Sequence, residues 1–131
     1  MSRDYLFGDA KATAKAGEAG RKQKALNAAK QEFEENPTTD NQAMLASALF
    51  DMGRFQEAER LLTDVVEKSG DDLKLLSDLG FVYKNLNQLD KAKEVFLRIV
   101  AIDPKHPLAR SAENEVWTID PAYRPSWMRP S

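Results

Sequence analysis

The chain contains no cysteine and only one histidine, His106, in 131 residues. Without cysteine there is no disulfide, no thiol nucleophile and no thiolate ligand, and a lone histidine cannot supply the convergent ligands of a zinc site. A serine hydrolase triad would have to use His106, which we expect in an exposed loop, and the chain has no Gly-x-Ser-x-Gly motif. The phosphate-binding motifs GxxxxGKS/T and GxGxxG are also missing. We therefore predict a protein that is not an enzyme and holds no cofactor or metal.

Long apolar runs are missing as well. No segment approaches the roughly 18 apolar residues that span a bilayer. The first residues, MSRDYLFGDAKATAKAGEAG, hold no apolar stretch of signal-peptide length. We therefore expect a cytoplasmic protein that does not interact with membranes.

The net charge is small, at −2, and predicts no bulk attraction to nucleic acid or to anionic membranes. Basic residues nevertheless concentrate in residues 11–30, where Glu18 is the single acid. This segment is either a solvated helix face or a contact surface for an acidic partner. It has no interleaved aromatic residues, so nucleic-acid binding ranks last among the functions considered.

Three segments spaced by 33 and 34 residues resemble one another: GRKQKALNAA at 20–29, GRFQEAERLL at 53–62 and NQLDKAKEVF at 87–96. Around the last copy, Leu76, Leu79 and Tyr83 stand at i, i+3 and i+7 and form one apolar stripe of a helix. A second stripe follows and consists of Val95, Phe96, Ile99, Val100 and Ile102.

Small residues and turn residues accompany these stripes. Gly80 and Ala92 are small because the two helices must approach closely there, and a bulkier side chain would overpack the contact at a cost of about 1–3 kcal/mol. Asn87-Gln88 is a natural break, and Gly53 takes that place in the middle copy, where it can adopt a positive φ beyond a helix C-terminus. Each copy is therefore predicted to be two antiparallel helices joined by a tight turn.

The last copy reads L-x2-L-G-x2-Y, then A-x3-F, and closes with Pro104 eight residues later. This pattern resembles the tetratricopeptide repeat (TPR) family, with Leu76 where Trp is usual. The middle copy is weaker at Gln42 and Gly70, and the first copy keeps small residues and Pro37 but lacks the large apolar ones. The resemblance implies an all-α fold, a short right-handed superhelix of stacked antiparallel helix pairs whose neighbours bury one another.

We expect a single TPR-like domain, completed by a capping helix in which Trp117 packs on the last repeat, and then an extended tail. The expected parts are a domain at 1–119, with a degenerate repeat at 6–38, repeats at 39–72 and 73–106 and the capping helix at 107–119, and the tail at 120–131.

Residues 6–38 allow two interpretations. In the first, Gly17 and Gly20 are turn residues and the segment forms a helix pair. In the second, the Ala-rich run continues through them as one long helix, and each interior glycine destabilises that helix by roughly 1 kcal/mol. The alignment of Gly20-Arg21 with Gly53-Arg54 favours the pair.

The tail, DPAYRPSWMRPS, contains three prolines, which exclude a regular helix and favour an extended path. Its large apolar side chains, Tyr123, Trp127 and Met128, are unfavourable in water. The tail therefore lies back on the outer face and covers the end of the stack, or occupies a groove of this chain or of a neighbour, or serves as a docking peptide.

The resemblance implies that the first helix of each repeat lines a concave wall that binds a peptide. Phe50 and Phe81 lie off the packing stripes of their helices, so each either packs against the adjacent helix or lines this groove. We predict that the groove holds an extended or helical peptide through apolar anchors with polar flanking contacts. The family's ligand-facing positions fall on Asp40, Ala43, Ser47, Phe50 and Asp51 in the middle repeat and on Lys74, Ser77, Phe81, Lys84 and Asn85 in the last.

The resemblance does not extend to the TPR branch that clamps the C-terminal carboxylate of a chaperone. That branch uses Lys, Asn, Asn, Lys and Arg, which neither alignment frame reproduces here, and Asp78 in the middle of such a site would repel a carboxylate. The corresponding positions are Ala10, Ala14, Met44, Lys74 and Asp78 in one frame and Ala43, Ser47, Asp78, Leu108 and Ala112 in the other.

These features favour a non-catalytic adaptor or scaffold that binds a protein or peptide partner. The alternative is self-assembly, in which the poorly capped first repeat or the C-terminal tail pairs with a second copy and gives a homo-oligomer. Light scattering on the full chain and on a version lacking 120–131 separates the two, because a monomer in both cases discards self-assembly.

Overall fold

The computed structural model describes the backbone of residues 3–129 and the side chains of residues 17–129. Within this range the chain is all-helical, and helices adjacent in sequence pack against one another in order along the stack. The expected all-α stack is therefore confirmed. The helices are α1 Arg3–Glu35, α2 Thr39–Asp51, α3 Phe55–Ser69, α4 Leu73–Asn85, α5 Leu89–Ile102 and α6 Pro107–Ile119, followed by a 3-10 turn at Ser126–Met128.

Side-chain caps and left-handed residues set the helix boundaries. Thr38 Oγ1 accepts a hydrogen bond from the backbone N–H of Asn41 at 3.1 Å and caps α2, while Asp72 caps α4 in the same way. Gly53 has a φ of 76° and Asn87 a φ of 59°, so the chain reverses within three residues between α2 and α3 and between α4 and α5. The positive φ expected at Gly53 is confirmed.

In the last repeat, Gly80 of α4 faces α5 at close range. A Cβ added there would lie 2.6 Å from Cε1 of Phe96, which is buried on α5. Leu76 and Ile99 are fully buried in the same core. Ile102, predicted to extend the second stripe, is instead 38% exposed, because it is the last residue of α5 and no further turn of helix packs over it.

The interpretation of residues 6–38 as a helix pair is wrong, because α1 runs unbroken from Arg3 to Glu35. No atom of the described residues lies within 4 Å of a Cβ built on Gly17 or Gly20, so none of them imposes a turn there. The neighbouring Ala, Lys, Gln and Glu are strong helix formers and offset the roughly 1 kcal/mol that each glycine costs. Among the described side chains of α1, buried Leu26 and partly buried Ala29 and Phe33 contact the core.

In the first copy, the positions that correspond to the motif residues of the other two copies include Asp9, Ala12, Thr13 and Ala16, and these lie outside the described side chains.

Helix α6 packs on α5 and closes the stack through the buried residues Ala109, Ala112 and Val116. The expectation that Trp117 packs on the last repeat is wrong, since its side chain is 39% exposed. It follows Val116 directly, so the helical twist of about 100° per residue turns it away from the face that Val116 buries. His106, expected in an exposed loop, is instead the N-cap of α6: its Nδ1 accepts a hydrogen bond from the backbone N–H of Leu108 at 3.0 Å.

Among the residues that the structure describes, no helix combines the length and the apolar character that crossing a membrane requires.

Candidate functional site

A pocket of about 220 Å³ lies between α2 and α4, the first helices of the two consecutive repeats. Phe50 of α2 and Phe81 of α4 both line it, and among the described residues Leu62 of α3 is the one lining residue that comes from the second helix of a repeat. We call this concavity the phenylalanine pocket. Its remaining lining residues are Ala46, Ser47, Asp78 and Val82.

Both phenylalanine rings are held in place by a second aromatic ring in their own repeat. Phe50 meets Phe55 edge to face at a centroid distance of 5.2 Å, and Phe81 meets Phe96 in the same manner at 5.3 Å. Such pairs are favourable by about 0.5–1.5 kcal/mol beyond the area they bury. Each ring therefore packs against its adjacent helix and lines the pocket as well, so the two interpretations of these residues are compatible.

Asp78 is the charged residue that the sequence prediction left out of this site. It is half-buried on α4, and this burial raises the pKa of its carboxyl group. Lys74, one turn earlier, opposes the rise in pKa through space, while Asp72 adds to it, and no hydrogen bond contributes. The sequence did single out Asp78, but only as a group that would repel a bound carboxylate.

A second pocket, of about 460 Å³, lies between α1, α2 and α4, and we call it the basic pocket. Arg21 and Lys22 of α1 line it together with Lys74 of α4, and Asp51 is its single acid among the described residues. The two basic residues of α1 come from the Lys- and Arg-rich segment 11–30. Ser47 lines both pockets, so they adjoin. The other residues of the basic pocket are Ala25, Ala29, Ala43, Met44 and Ala48.

The two pockets bring together Ala43, Ser47, Phe50, Asp51, Lys74 and Phe81 from the predicted set. The other four line neither pocket. Asp40 is exposed in the first turn of α2, and Ser77 is half-buried on α4. Lys84 Nζ lies 2.5 Å from Oε2 of Glu115 on α6, and the Asn85 side chain donates to the carbonyl oxygen of Phe81 at 2.8 Å. These last two side chains are engaged within the chain, because α6 and the end of α4 supply their partners.

The C-terminal tail lies against α6 and does not line either pocket. Glu113 of α6 is 2% exposed and its carboxylate accepts hydrogen bonds from the Tyr123 hydroxyl at 3.1 Å and from Ser126 N and Oγ at 2.9 and 2.8 Å. Trp127 stays 39% exposed beneath the guanidinium of Arg110, which lies 4.8 Å from the ring centroid. Met128 is 46% exposed. The tail therefore folds back on α6 of its own domain, while its use as a docking peptide stays a prediction.

The described residues contain no group of three or more His, Cys, Asp or Glu side chains arranged to hold a metal ion. The pockets instead offer two aromatic rings, one half-buried carboxylate and three basic side chains.

A family model described as tetratricopeptide repeat matches residues 49–116, slightly more than half of the chain. Among solved structures, the first TPR of Spaghetti (RPAP3) bound to the HSP90 peptide SRMEEVD is similar, with a TM-score of 0.68, 24% identity, and coverage of 83% of this chain and 85% of that one. The second TPR domain of human RPAP3, in complex with the HSP70 peptide SGPTIEEVD, gives a TM-score of 0.64 at 21% identity, covering 76% and 82%. The Arabidopsis OM64 TPR domain gives 0.66 at 20% identity, covering 80% and 88%.

At these identities the structural likeness establishes the fold. A search among curated proteins found no significant match.

Proposed function

The chain belongs to the tetratricopeptide repeat family, and we propose that it is a non-catalytic interaction module that binds a peptide or protein segment across the phenylalanine pocket and the basic pocket. The observation that carries the proposal is the position of Phe50 and Phe81. They come from the first helices of two consecutive repeats, line one pocket together and remain only partly buried. Partly exposed aromatic rings around a concave surface are the usual anchors of a recognition site.

Two of the similar structures support the kind of ligand, because each was solved with a bound peptide. Both of those peptides end in EEVD and are acidic at the C-terminus. The present groove differs in charge along its length: the basic pocket carries Arg21, Lys22 and Lys74, whereas the phenylalanine pocket carries Asp78. An acidic terminus therefore fits only the basic pocket, and the phenylalanine pocket receives a different part of the ligand.

The test is a selection of peptides from a random library on the wild-type protein, followed by binding measurements on the double variant Phe50→Ala, Phe81→Ala. We expect the selected peptides to lose binding to this variant, since both rings that contact the ligand are removed. Phe55→Ala is the matched control. It removes a phenylalanine that contacts Phe50 but does not line the pocket, so Phe50 and Phe81 are both still present.

Circular dichroism and thermal melting must show that each variant remains folded. Selected peptides that bind a folded double variant as tightly as the wild type would contradict the proposed groove. A library that yields no binding peptide on the wild type would do so as well.

A further inference from the structure

The phenylalanine pocket has an unusual distribution of charge. Three apolar side chains, Ala46, Leu62 and Val82, line it besides the two rings, and Ser47 contributes a hydroxyl. Among the described lining residues, Asp78 alone carries a charge. The pocket is thus an apolar concavity with one carboxylate in its wall.

Other acids near α6 have partners within the chain. Glu113 receives three hydrogen bonds from the tail, Glu115 pairs with Lys84, and Asp120 pairs with Lys93 at 2.7 Å. Asp78 is half-buried and receives no hydrogen bond or ion-pair contact among the described residues, and Lys74 one turn earlier acts on it only through space. Its carboxylate is therefore partly removed from water without a compensating donor.

Any ligand that fills this pocket removes more water from the carboxylate. A purely apolar side chain would leave it buried and unpaired, and an acidic side chain would add repulsion between like charges. A cationic side chain instead forms a charge-assisted hydrogen bond, the strong kind, in a site of reduced dielectric. Lysine and arginine add a methylene stem that packs on apolar walls while the charged group reaches a polar partner.

We propose that the phenylalanine pocket binds a lysine or arginine side chain of the partner, with its stem against Phe50 and Phe81 and its cationic group paired with Asp78. This rests on the proposed function, because it names the chemistry of the residue that the same pocket receives. The groove then selects a segment that carries a basic residue at one pocket and, through the basic pocket beside it, acidic character next to that residue.

The experiment uses the tightest peptide from the library selection as the probe. Each basic residue in it is replaced in turn by norleucine, which keeps an apolar chain and lacks the charge. Fluorescence anisotropy then gives dissociation constants for the wild type, for Asp78→Asn and for Glu67→Gln. Asp78→Asn keeps the size of the side chain, and Glu67→Gln removes an equal charge from the exposed end of α3.

We expect one basic residue whose replacement weakens binding to the wild type roughly ten- to hundredfold, the usual effect of losing a hydrogen bond to a charged group. The same replacement should have little effect on Asp78→Asn, and Glu67→Gln should behave as the wild type does. Thermal melting verifies that Asp78→Asn is folded.

Peptides that depend on Phe50 and Phe81 but place an apolar or acidic residue at the critical position would overturn the inference and leave the proposed function standing. Binding unchanged by Asp78→Asn would have the same meaning. If no peptide depends on the two rings, both the inference and the proposed function are wrong.

Discussion

Replacing Gly80 by alanine should destabilise the protein, although alanine is the better helix former. A Cβ at this position would lie 2.6 and 2.7 Å from two ring atoms of Phe96, whereas ordinary carbon contacts are about 3.5–4.0 Å. The ring would have to move by about 1 Å. It has little room to do so, because Phe96 is 1% exposed and packs edge to face on Phe81.

The magnitude follows from two opposing terms. Overpacking a tight core typically costs about 1–3 kcal/mol, and the immobile ring places this site toward the upper end. Replacing an interior helical glycine by alanine stabilises the helix by about 1 kcal/mol. The expected net loss is about 1–2 kcal/mol, which lowers the melting temperature by about 3–8 °C in a domain of this size.

Gly20→Ala is the matched control in urea or thermal unfolding followed by circular dichroism. Gly20 is also helical, but a Cβ there would meet nothing within 4 Å, so the same substitution should stabilise by about 0.5–1 kcal/mol. The two glycines should thus respond with opposite signs.

A second comparison isolates the clash itself. In a Phe96→Leu background the obstructing ring is gone, so Gly80→Ala should lose most of its cost relative to that background. A Gly80→Ala protein that gains stability as Gly20→Ala does would refute the close approach of α4 and α5 on which the packing argument depends.

Three further predictions concern single residues elsewhere in the chain. In a Trp117→Phe background, where Trp127 is the single tryptophan, Glu113→Ala should leave the tail's donors without their acceptor, costing about 1–3 kcal/mol and shifting the fluorescence to longer wavelength; an unchanged spectrum would contradict the contact. Gly53→Ala should cost about 1 kcal/mol in thermal unfolding, since φ is 76° there, and an unchanged melting temperature would refute this. Burial raises the pKa of Asp78, so its ionised form opposes folding at neutral pH; Asp78→Asn should melt higher there, and this gain should vanish below the unfolded carboxyl pKa of about 3.9. A gain that persisted in acid would argue against the burial of an unpaired carboxylate.

The fold followed from the sequence where a single physical constraint fixed the residue type. Close approach of two helices requires a small residue at Gly80, and a reversal within three residues requires a positive φ at Gly53. Both signals are local, so they can be read without knowing the packing of the rest of the chain. The apolar spacing of Leu76 and Leu79 is local in the same sense.

The path of α1 could not be decided in this way. Gly20 and Gly53 align in sequence, yet one lies inside a helix and the other ends one. The difference comes from tertiary contacts. Because α3 packs back beside α2, the chain must reverse at Gly53, whereas no contact among the described residues requires a reversal at Gly20. Since α1 continues, Arg21 and Lys22 reach the basic pocket, and sequence spacing alone gave no signal for this position.

The prediction of ligand-facing residues was limited by contacts between elements that are distant in sequence. Lys84 was predicted to face the groove, and its pairing with Glu115, 31 residues away on α6, could not be foreseen from spacing within one helix. Phe50 and Phe81 were identified because large apolar residues off the packing stripe need a reason, and that argument uses only one helix at a time. Asp78 required knowledge of the whole pocket before its isolation became visible.

The two buried polar side chains among the described residues, Gln42 and Glu113, differ from the half-buried Asp78 in their partners. Gln42, at 6% exposure, donates to the Leu61 carbonyl at 3.1 Å and to Asp64 at 2.8 Å, so its burial is compensated within the chain. Glu113 is compensated in the same way by the tail. A buried polar group with its partners in place stabilises the fold and needs no ligand. Asp78 is half-buried in the wall of the phenylalanine pocket without a hydrogen-bond donor of its own, so a cationic side chain of a partner would supply the contact that the chain does not.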